Sequence, residues 1–137
     1  MATMQVELVS AERELFSGEA AEVYARSVEG EIGILPGHQP VLLALEIAPV
    51  RMKMEDGNWE AYAVHNGFMF FRQNRLVILA DLAEHAEEID VEEARELRER
   101  HAGTRREELD EEAFKALRRA EVRLEVAQGG GYPAGSV

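Results

Sequence analysis

The side chains that most often carry out chemistry in proteins are present in this sequence, but their spacing forms no familiar catalytic or metal site. The four histidines, His38, His65, His85 and His101, fall in separate segments without the spacing of metal ligands. The serines lie outside any G-x-S-x-G motif, which would expose a nucleophile at a turn between strand and helix. Acidic pairs are numerous, and in so acidic a chain we interpret them as a solvated surface. These residues predict a protein that catalyses no reaction itself.

The segment from Glu29 to Pro40 has the most unusual composition in the chain. Its Gly30-Glu31-Ile32-Gly33 portion resembles a phosphate-binding loop but lacks both the Lys-Ser/Thr ending and a following helix, so we reject that interpretation. Glycines and prolines here impose a tight backbone around the apolar Ile32, Ile34 and Leu35. Two interpretations stay open on physical grounds. The segment is either a bulged strand with a rigid turn or a loop that recognises a partner.

The bulk composition excludes several classes of protein. A chain of 137 residues is too short for a large multidomain enzyme. It contains no cysteine, which excludes disulfides and thiolate chemistry, and its net charge of −12 would repel a nucleic-acid backbone. No apolar run approaches the roughly 20 residues that cross a bilayer, and no basic and then apolar leader occurs at the N-terminus. We therefore expect a cytoplasmic protein that binds no nucleic acid.

The elements that position these residues change in type near residue 88. Up to Leu79, short apolar runs alternate with turn signals, a pattern typical of a β-sandwich or barrel. Asp56-Gly57-Asn58 predicts a hairpin whose returning strand is 59–65, and Gln73-Asn74-Arg75 predicts a second hairpin that joins 68–71 to 76–79. The first 88 residues are therefore expected to form a β domain.

After Glu88 the apolar spacing lengthens to three or four residues, and good helix formers dominate. Asp90 is expected to cap a first helix, and Thr104 with Glu107, or alternatively Asp110, to cap a second. The predicted apolar face of the second helix consists of Leu109, Ala113, Ala116, Leu117, Ala120, Leu124 and Ala127. We expect an antiparallel hairpin over 89–128, marginally stable without its docking surface, and a flexible tail over 129–137.

Several segments, taken in order, resemble the epsilon subunit of bacterial F-type ATP synthases. They are Val9-Ser10-Ala11-Glu12, Leu15-Phe16-Ser17-Gly18, the segment from Glu29 to Pro40, Gly67-Phe68, and Val77-Ile78-Leu79-Ala80-Asp81. The resemblance covers about residues 4–127. It implies an α+β fold in which a ten-stranded β-sandwich over 1–88 precedes the two-helix hairpin.

The resemblance also implies a function in coupling proton flow to rotation, without bond chemistry. The sandwich would attach to the gamma subunit and to the ring of membrane-embedded c subunits, at the cytoplasmic face of the bacterial membrane. The partner-binding residues implied in the sandwich are Gly30, Ile32, Gly33, Pro36, Gly37 and His38. In bacterial members the hairpin can extend and block ATP hydrolysis in the catalytic head.

An extended hairpin would bring basic side chains to acidic surfaces of the catalytic alpha and beta subunits. The residues concerned are Arg98, Arg100, Arg105, Arg106, Lys115, Arg118, Arg119 and Arg123. Residues 89–137 carry 9 basic and 12 acidic side chains, net −3, whereas residues 1–88 carry 6 and 15, net −9. Most arginines therefore lie in the hairpin region. Any single one is also consistent with a solvated helix face.

Some bacterial members bind ATP on the folded hairpin, which is the main alternative function. The positions that match this family site are Glu84, Asp90, Ala94, Arg100, Arg119 and Arg123, but Glu93 replaces the motif arginine. A carboxylate there would repel a polyphosphate, and Arg95 lies roughly 200° away around the helix. We therefore expect weak or absent ATP binding and no other cofactor. A small β-sandwich enzyme or carbohydrate-binding module is disfavoured, because the chain offers only Trp59 and scattered acids.

Overall fold

The computed structural model describes residues 2–129, in which seven strands precede two α-helices. The strands are β1 (Met4–Ser10), β2 (Glu14–Ala20), β3 (Glu22–Ser27), β4 (Gly30–Ile34), β5 (Val41–Lys53), β6 (Trp59–Arg72) and β7 (Arg75–His85). A 3-10 turn at Ala86–Glu88 leads to α1 (Val91–Arg100), and a second at Arg106–Glu108 leads to α2 (Glu111–Ala127). The strands end at His85. Most of the predicted flexible tail, residues 130–137, lies outside the described residues.

The strands follow the order β2-β1-β7-β6-β5-β3-β4. All neighbours are antiparallel except β1 and β7, which pair in parallel from Gln5 with Arg75 to Ser10 with Ala80. Both predicted hairpins are present. Gly57 (φ 89°) turns β5 into β6, and Gln73 and Asn74, with φ of 53° and 59°, turn β6 into β7 as a two-residue hairpin requires.

The sandwich contains seven strands over the described residues, so the expectation of ten was wrong. β5, β6 and β7 run without a break through a bend at Asn66 (φ 62°) and Gly67 (φ 136°). In β6 the core side chains are Tyr62 and Val64 before this point and Met69 and Phe71 after it, so the alternation inverts. The register is the same on both sides, with Leu45 opposite Gly67 and Ile47 opposite His65, so no residue is inserted and the inversion accompanies the positive φ of Asn66 and Gly67. Each of these three long strands therefore contributes to both layers of the sandwich but is a single strand.

The bend requires glycine at position 67. A Cβ atom there would lie 2.1 Å from the carbonyl oxygen of Leu79, and the positive φ is one that other residues rarely adopt. The main core lies between the layers and includes Tyr62, Phe71 and Met52, all nearly inaccessible. Backbone geometry at the bend therefore fixes which side chains reach this core.

The helical hairpin is capped at both starts by aspartate. Asp90 accepts a hydrogen bond from the Glu93 amide at 3.0 Å, and Asp110 accepts one from the Ala113 amide at 2.7 Å. The alternative cap at Thr104 with Glu107 is wrong, because the 3-10 turn at Arg106–Glu108 occupies that position. The buried residues of α2 are Leu117, Ala120, Val122, Leu124 and Val126. The helix therefore presents two apolar faces, whereas one was predicted.

Candidate functional site

The glycines of the unusual segment have packing and backbone functions in the sandwich. Gly30 adopts φ 122° in the turn between β3 and β4, where the Ser27 hydroxyl donates to its carbonyl at 3.0 Å. Gly33 lies beneath the Tyr24 ring, and an added Cβ would approach that ring to 2.8 Å. Ile34 is fully buried and Ile32 packs at the core's margin. Residues 30–34 therefore serve the turn and the core packing of the sandwich.

The following loop, residues 35–40, is held by the β6–β7 turn. Gly37 (φ 83°) donates its amide to the Asn74 side chain at 3.0 Å, while Asn74 donates to the Thr3 carbonyl at 3.0 Å. The His38 ring packs edge-on against Phe71, with 5.9 Å between ring centroids. Leu35 projects from this ordered loop and is 47% exposed. Pro36, Gly37 and His38 therefore occupy one preformed end of the sandwich.

Within residues 2–129, an apolar sheet face lies uncovered on the outer surface of β5, β6 and β7. Its members are Leu42, Ala44, Phe68, Phe70, Val77 and Leu79, which form two rows across the strands: Leu42, Phe70 and Val77, then Ala44, Phe68 and Leu79. Leu42 is 70% exposed and Phe68 55%, although both belong to central strands. Contiguous exposed apolar area of this kind marks an interaction surface. We call it the bare face.

The sequence predictions missed the bare face. Phe68 to Phe71 read as one apolar strand, and nothing in a single apolar run says which side will be covered. The uninterrupted apolar run Phe68-Met69-Phe70-Phe71 is the signal that both sides of the strand are apolar, since a strand with one solvated side alternates with polar residues. The sequence does not say where the hairpin docks, so it does not show which part of the outer side stays exposed.

On the other side of the bend from the bare face, the hairpin covers the outer surface of the strands. Val122 and Val126 of α2 pack with Ile47, Ala61 and Ala63 of the sandwich and with Ile89. The opposite side of α2 packs through Ala120 and Leu124 on Ala94 of α1. Both clusters consist mainly of small side chains, so the hairpin is attached through a limited apolar contact.

Two polar links join α2 to the sandwich. The Arg123 guanidinium donates to Glu84 Oε1 at 2.6 Å, and His65 Nε2 lies 3.0 Å from the same oxygen. Arg51 contributes a second link to Glu125 at 3.4 Å. Burial acts to raise the pKa of Glu84, but the hydrogen bonds from His65 and Arg123 outweigh it and hold the pKa below its ordinary value. We call the group of Glu84, His65 and Arg123 the latch.

A third link secures the segment that leads to α1. The Arg13 guanidinium donates to both oxygens of Glu88, at 2.6 and 2.8 Å, and the His85 amide donates to Glu88 at 3.0 Å. These hydrogen bonds, that of Arg13 foremost, lower the pKa of Glu88 to about 2. The segment is thus held against the β1–β2 turn at neutral pH.

Most residues of the predicted ATP site line one cleft between the hairpin and the sandwich. Its volume is about 190 Å³, and its walls are Glu84, Asp90, Glu93, Ala94, Glu96, Leu97, Arg100 and Arg123. Arg119 lies elsewhere on α2. The four carboxylates outnumber the two guanidinium groups, and Arg123 is already bound to Glu84. The cleft is also smaller than the roughly 300–1,000 Å³ of typical ligand sites.

Several basic side chains of the hairpin form ion pairs with acidic residues of the hairpin itself. Arg106 lies 2.5 Å and Arg118 3.9 Å from Glu121, and Lys115 lies 3.3 Å from Glu111. Arg106 also lies over the Phe114 ring, at 5.9 Å from its centroid. Arg98 and Arg105 are exposed. Arg106 and Arg118 therefore share Glu121, and Arg98 lines the same cleft as Arg106, whereas Lys115 pairs with Glu111 at the start of α2.

The described part of the chain offers no candidate metal centre, since residues 2–129 contain no group of three or more histidine, aspartate or glutamate side chains placed to hold an ion. His65 contacts Glu84, His85 packs against Tyr62 and His38 against Phe71, in three different places. No helix in the same range is long and apolar enough to span a membrane.

Comparisons with known proteins agree on one family. The family model described as ATP synthase, Delta/Epsilon chain, beta-sandwich domain matches residues 3–86. The ATP synthase epsilon chain of Streptomyces coelicolor is 46% identical over 128 residues, covering 93% of this chain and 98% of that protein. The ATP synthase epsilon chain of Dehalococcoides mccartyi strain CBDB1 is 39% identical over 133 residues, covering 93% and 94%.

Solved structures show the same fold at lower identity. A chain in the cryo-EM structure of the Euglena gracilis mitochondrial ATP synthase, OSCP/F1/c-ring, superposes with a TM-score of 0.71 at 24% identity, covering 93% of this chain and 79% of that one. A chain of the Tetrahymena thermophila mitochondrial ATP synthase central stalk and c-ring gives 0.55 at 14% identity, covering 93% and 96%.

Proposed function

The chain belongs to the ATP synthase delta/epsilon family as a non-catalytic epsilon subunit, and we propose that it couples proton flow to rotation by docking its bare face on the gamma subunit in the central stalk. The observation that carries this proposal is the uncovered face itself. Leu42, Phe68 and Leu79 are large, exposed and adjacent across three central strands. Burying them against a partner would contribute about 25 cal/mol for each Å² of apolar surface.

The test is binding to the gamma subunit with the double variant Leu42→Ser/Phe68→Ser. Because both side chains already face solvent, the variant should fold normally and lose most of its affinity for gamma. Val28→Ser is the matched control, since Val28 is 62% exposed but lies in the β3–β4 turn. Wild-type affinity in the double variant would show that gamma docks elsewhere.

The preformed loop end of the sandwich supports a second contact, with the c-ring. Pro36, Gly37 and His38 lie at this end with Leu35 as its exposed apolar tip, whereas Ile32 and Gly33 lie within β4 and Gly30 at the far end of that strand. The subunit would then be peripheral, at the cytoplasmic face of the bacterial membrane and bound only through the complex. Leu35→Asp should weaken assembly with c-ring preparations while leaving binding to isolated gamma unchanged.

The hairpin supports regulation of ATP hydrolysis. Its attachment by small apolar side chains and a few ion pairs is suited to release, and an extended hairpin would offer its basic residues to the catalytic subunits. Truncation after Glu88 should raise hydrolysis by the reconstituted complex. Reversing Arg98, Arg105, Lys115 and Arg118 to glutamate should do the same with the hairpin retained. Unchanged hydrolysis in both would exclude the regulatory hairpin.

ATP sensing is the alternative, and the acidic cleft favours only weak binding. Glu93 and Glu96 line it together with Glu84 and Asp90. Calorimetry on the isolated subunit should detect no micromolar binding of ATP. Glu93→Arg would remove one negative charge and add one positive charge, and it should increase the affinity, whereas Glu99→Arg on the same helix should not. Micromolar binding by the unmodified chain would overturn this expectation.

A further inference from the structure

The bare face is bordered by opposite charges at its two ends. At the bend, Glu46 and Asp81 flank Asn66 in the next row across the strands, and both are exposed. At the opposite end, Arg72 and Arg75 pair across the β6–β7 turn and are exposed as well. Six residues of β6 separate the two rows, which corresponds to about 20 Å along a strand.

The sheet register places both charged rows on the same outer face as the apolar rows. Arg72 has the outward parity of Phe68 and Phe70, and Asp81 has that of Val77 and Leu79. The two charged ends also differ in net charge, because a neighbouring carboxylate pairs with one of the arginines. Arg75 lies 3.1 Å from Glu7, so the basic end keeps a net charge of one, whereas the acidic end carries two carboxylates. A partner that covers the face must therefore meet an electrostatic gradient along it.

We propose that the gamma segment that occupies the bare face is itself charge-polarised, with basic side chains opposite Glu46 and Asp81, an apolar centre, and acidic or neutral polar groups opposite Arg72 and Arg75. This inference rests on the proposed docking of gamma. Closing an apolar contact removes water from the charges at its border, and like charges there would be costly. The charged rows thus fix the direction in which the segment lies, while the apolar rows supply the affinity.

Binding to gamma by charge-reversed full-length variants tests the polarity. Glu46→Lys/Asp81→Lys should weaken affinity roughly fivefold to tenfold at low salt, chiefly through the association rate, and the loss should shrink as salt is raised. Its control, Glu55→Lys/Glu87→Lys, changes the net charge equally at exposed sites away from the face. Arg72→Glu/Arg75→Glu should cause a smaller loss than the acidic-end variant, measured against Arg26→Glu/Arg95→Glu.

Two outcomes would overturn the inference in distinguishable ways. If Glu46→Lys/Asp81→Lys binds gamma as tightly as Glu55→Lys/Glu87→Lys, or more tightly, while Leu42→Ser/Phe68→Ser still loses binding, the polarity is wrong and the docking stands. If Leu42→Ser/Phe68→Ser binds normally, the docking and the polarity both fail.

Discussion

The sandwich and the hairpin are stabilised in different ways. The sandwich encloses a continuous core of large side chains, including Tyr62, Phe71 and Met69, and its strand order is fixed by backbone hydrogen bonds. The hairpin rests on two small clusters and on side-chain ion pairs such as Arg123 with Glu84. The first region is therefore expected to unfold as one unit, and the second to detach at a lower free energy.

The largest effect is expected at the bend, where the sandwich depends on one backbone position. Gly67→Ala places a Cβ atom 2.1 Å from a carbonyl oxygen at φ 136°, so we expect a loss on the order of 4 kcal/mol or failure to fold. Urea unfolding measures it. Gly103→Ala, with nothing within 4 Å of the new Cβ, is the control and should be nearly neutral. A stable Gly67→Ala protein would contradict this account of the bend.

The next effect should separate the two regions. Val122→Ala/Val126→Ala removes the side chains that dock α2, and it should destabilise the docked hairpin by roughly 2–4 kcal/mol. Hydrogen exchange should rise over 91–127 and stay unchanged in β5 and β6. Ala116→Gly would weaken the helix itself by about 1 kcal/mol without touching that contact. If the sandwich amides became equally labile, the regions would not be independent.

A smaller effect is expected from the latch, and it carries a pH dependence. The pKa of Glu84 is below its ordinary 4.5 in the folded hairpin, so its stabilisation is present above that value and is lost as the pH falls through the lowered pKa. Glu84→Gln should loosen the hairpin at neutral pH by about 1–3 kcal/mol and flatten this acid dependence. Glu93→Gln lies in the same cleft and should retain it. Hairpin protection against proteolysis, followed from pH 7 downward, provides the measurement.

The smallest effect concerns a polar contact within the sandwich. Asn74→Gly keeps the positive φ of the β6–β7 turn but removes the side chain that binds the Gly37 amide, at a cost of about 1 kcal/mol or less. Exchange of the Gly37 amide should accelerate, while the midpoint of thermal unfolding changes little. Asn74→Asp retains the acceptor oxygen and should preserve protection of that amide. Equal loss of protection in both variants would refute this function of the oxygen.

The sequence predicted local structure better than tertiary contacts. The change of period at residue 88, both hairpin turns and the Asp90 cap follow from residue types a few positions apart, and all are present. The count of ten strands came from the family resemblance, and it was wrong because β5, β6 and β7 each continue through the bend as one strand. Val122 and Val126 were missed because the predicted stripe assumed one neighbouring helix, whereas α2 packs on two surfaces.

The candidate site shows the same limit. Glu84, Asp90, Ala94, Arg100 and Arg123 were placed together by family resemblance, and the cleft does contain them. His65, Arg51 and Glu125 were not identified, since pairs such as Arg51 and Glu125 lie far apart in the chain. Which charges face one another across an interface depends on register and crossing angle, which a single sequence does not specify.

The parallel pairing of β1 with β7 has a consequence for how the protein forms during synthesis. Residue 5 finds its partner only when residue 75 is available, so one edge of the first strand must wait until most of the chain has left the ribosome. Ring closures of such long sequence separation are slow relative to local hairpins. The nascent chain therefore leaves one edge of β1 unpaired until β7 is made, and that edge can pair with another chain during this interval.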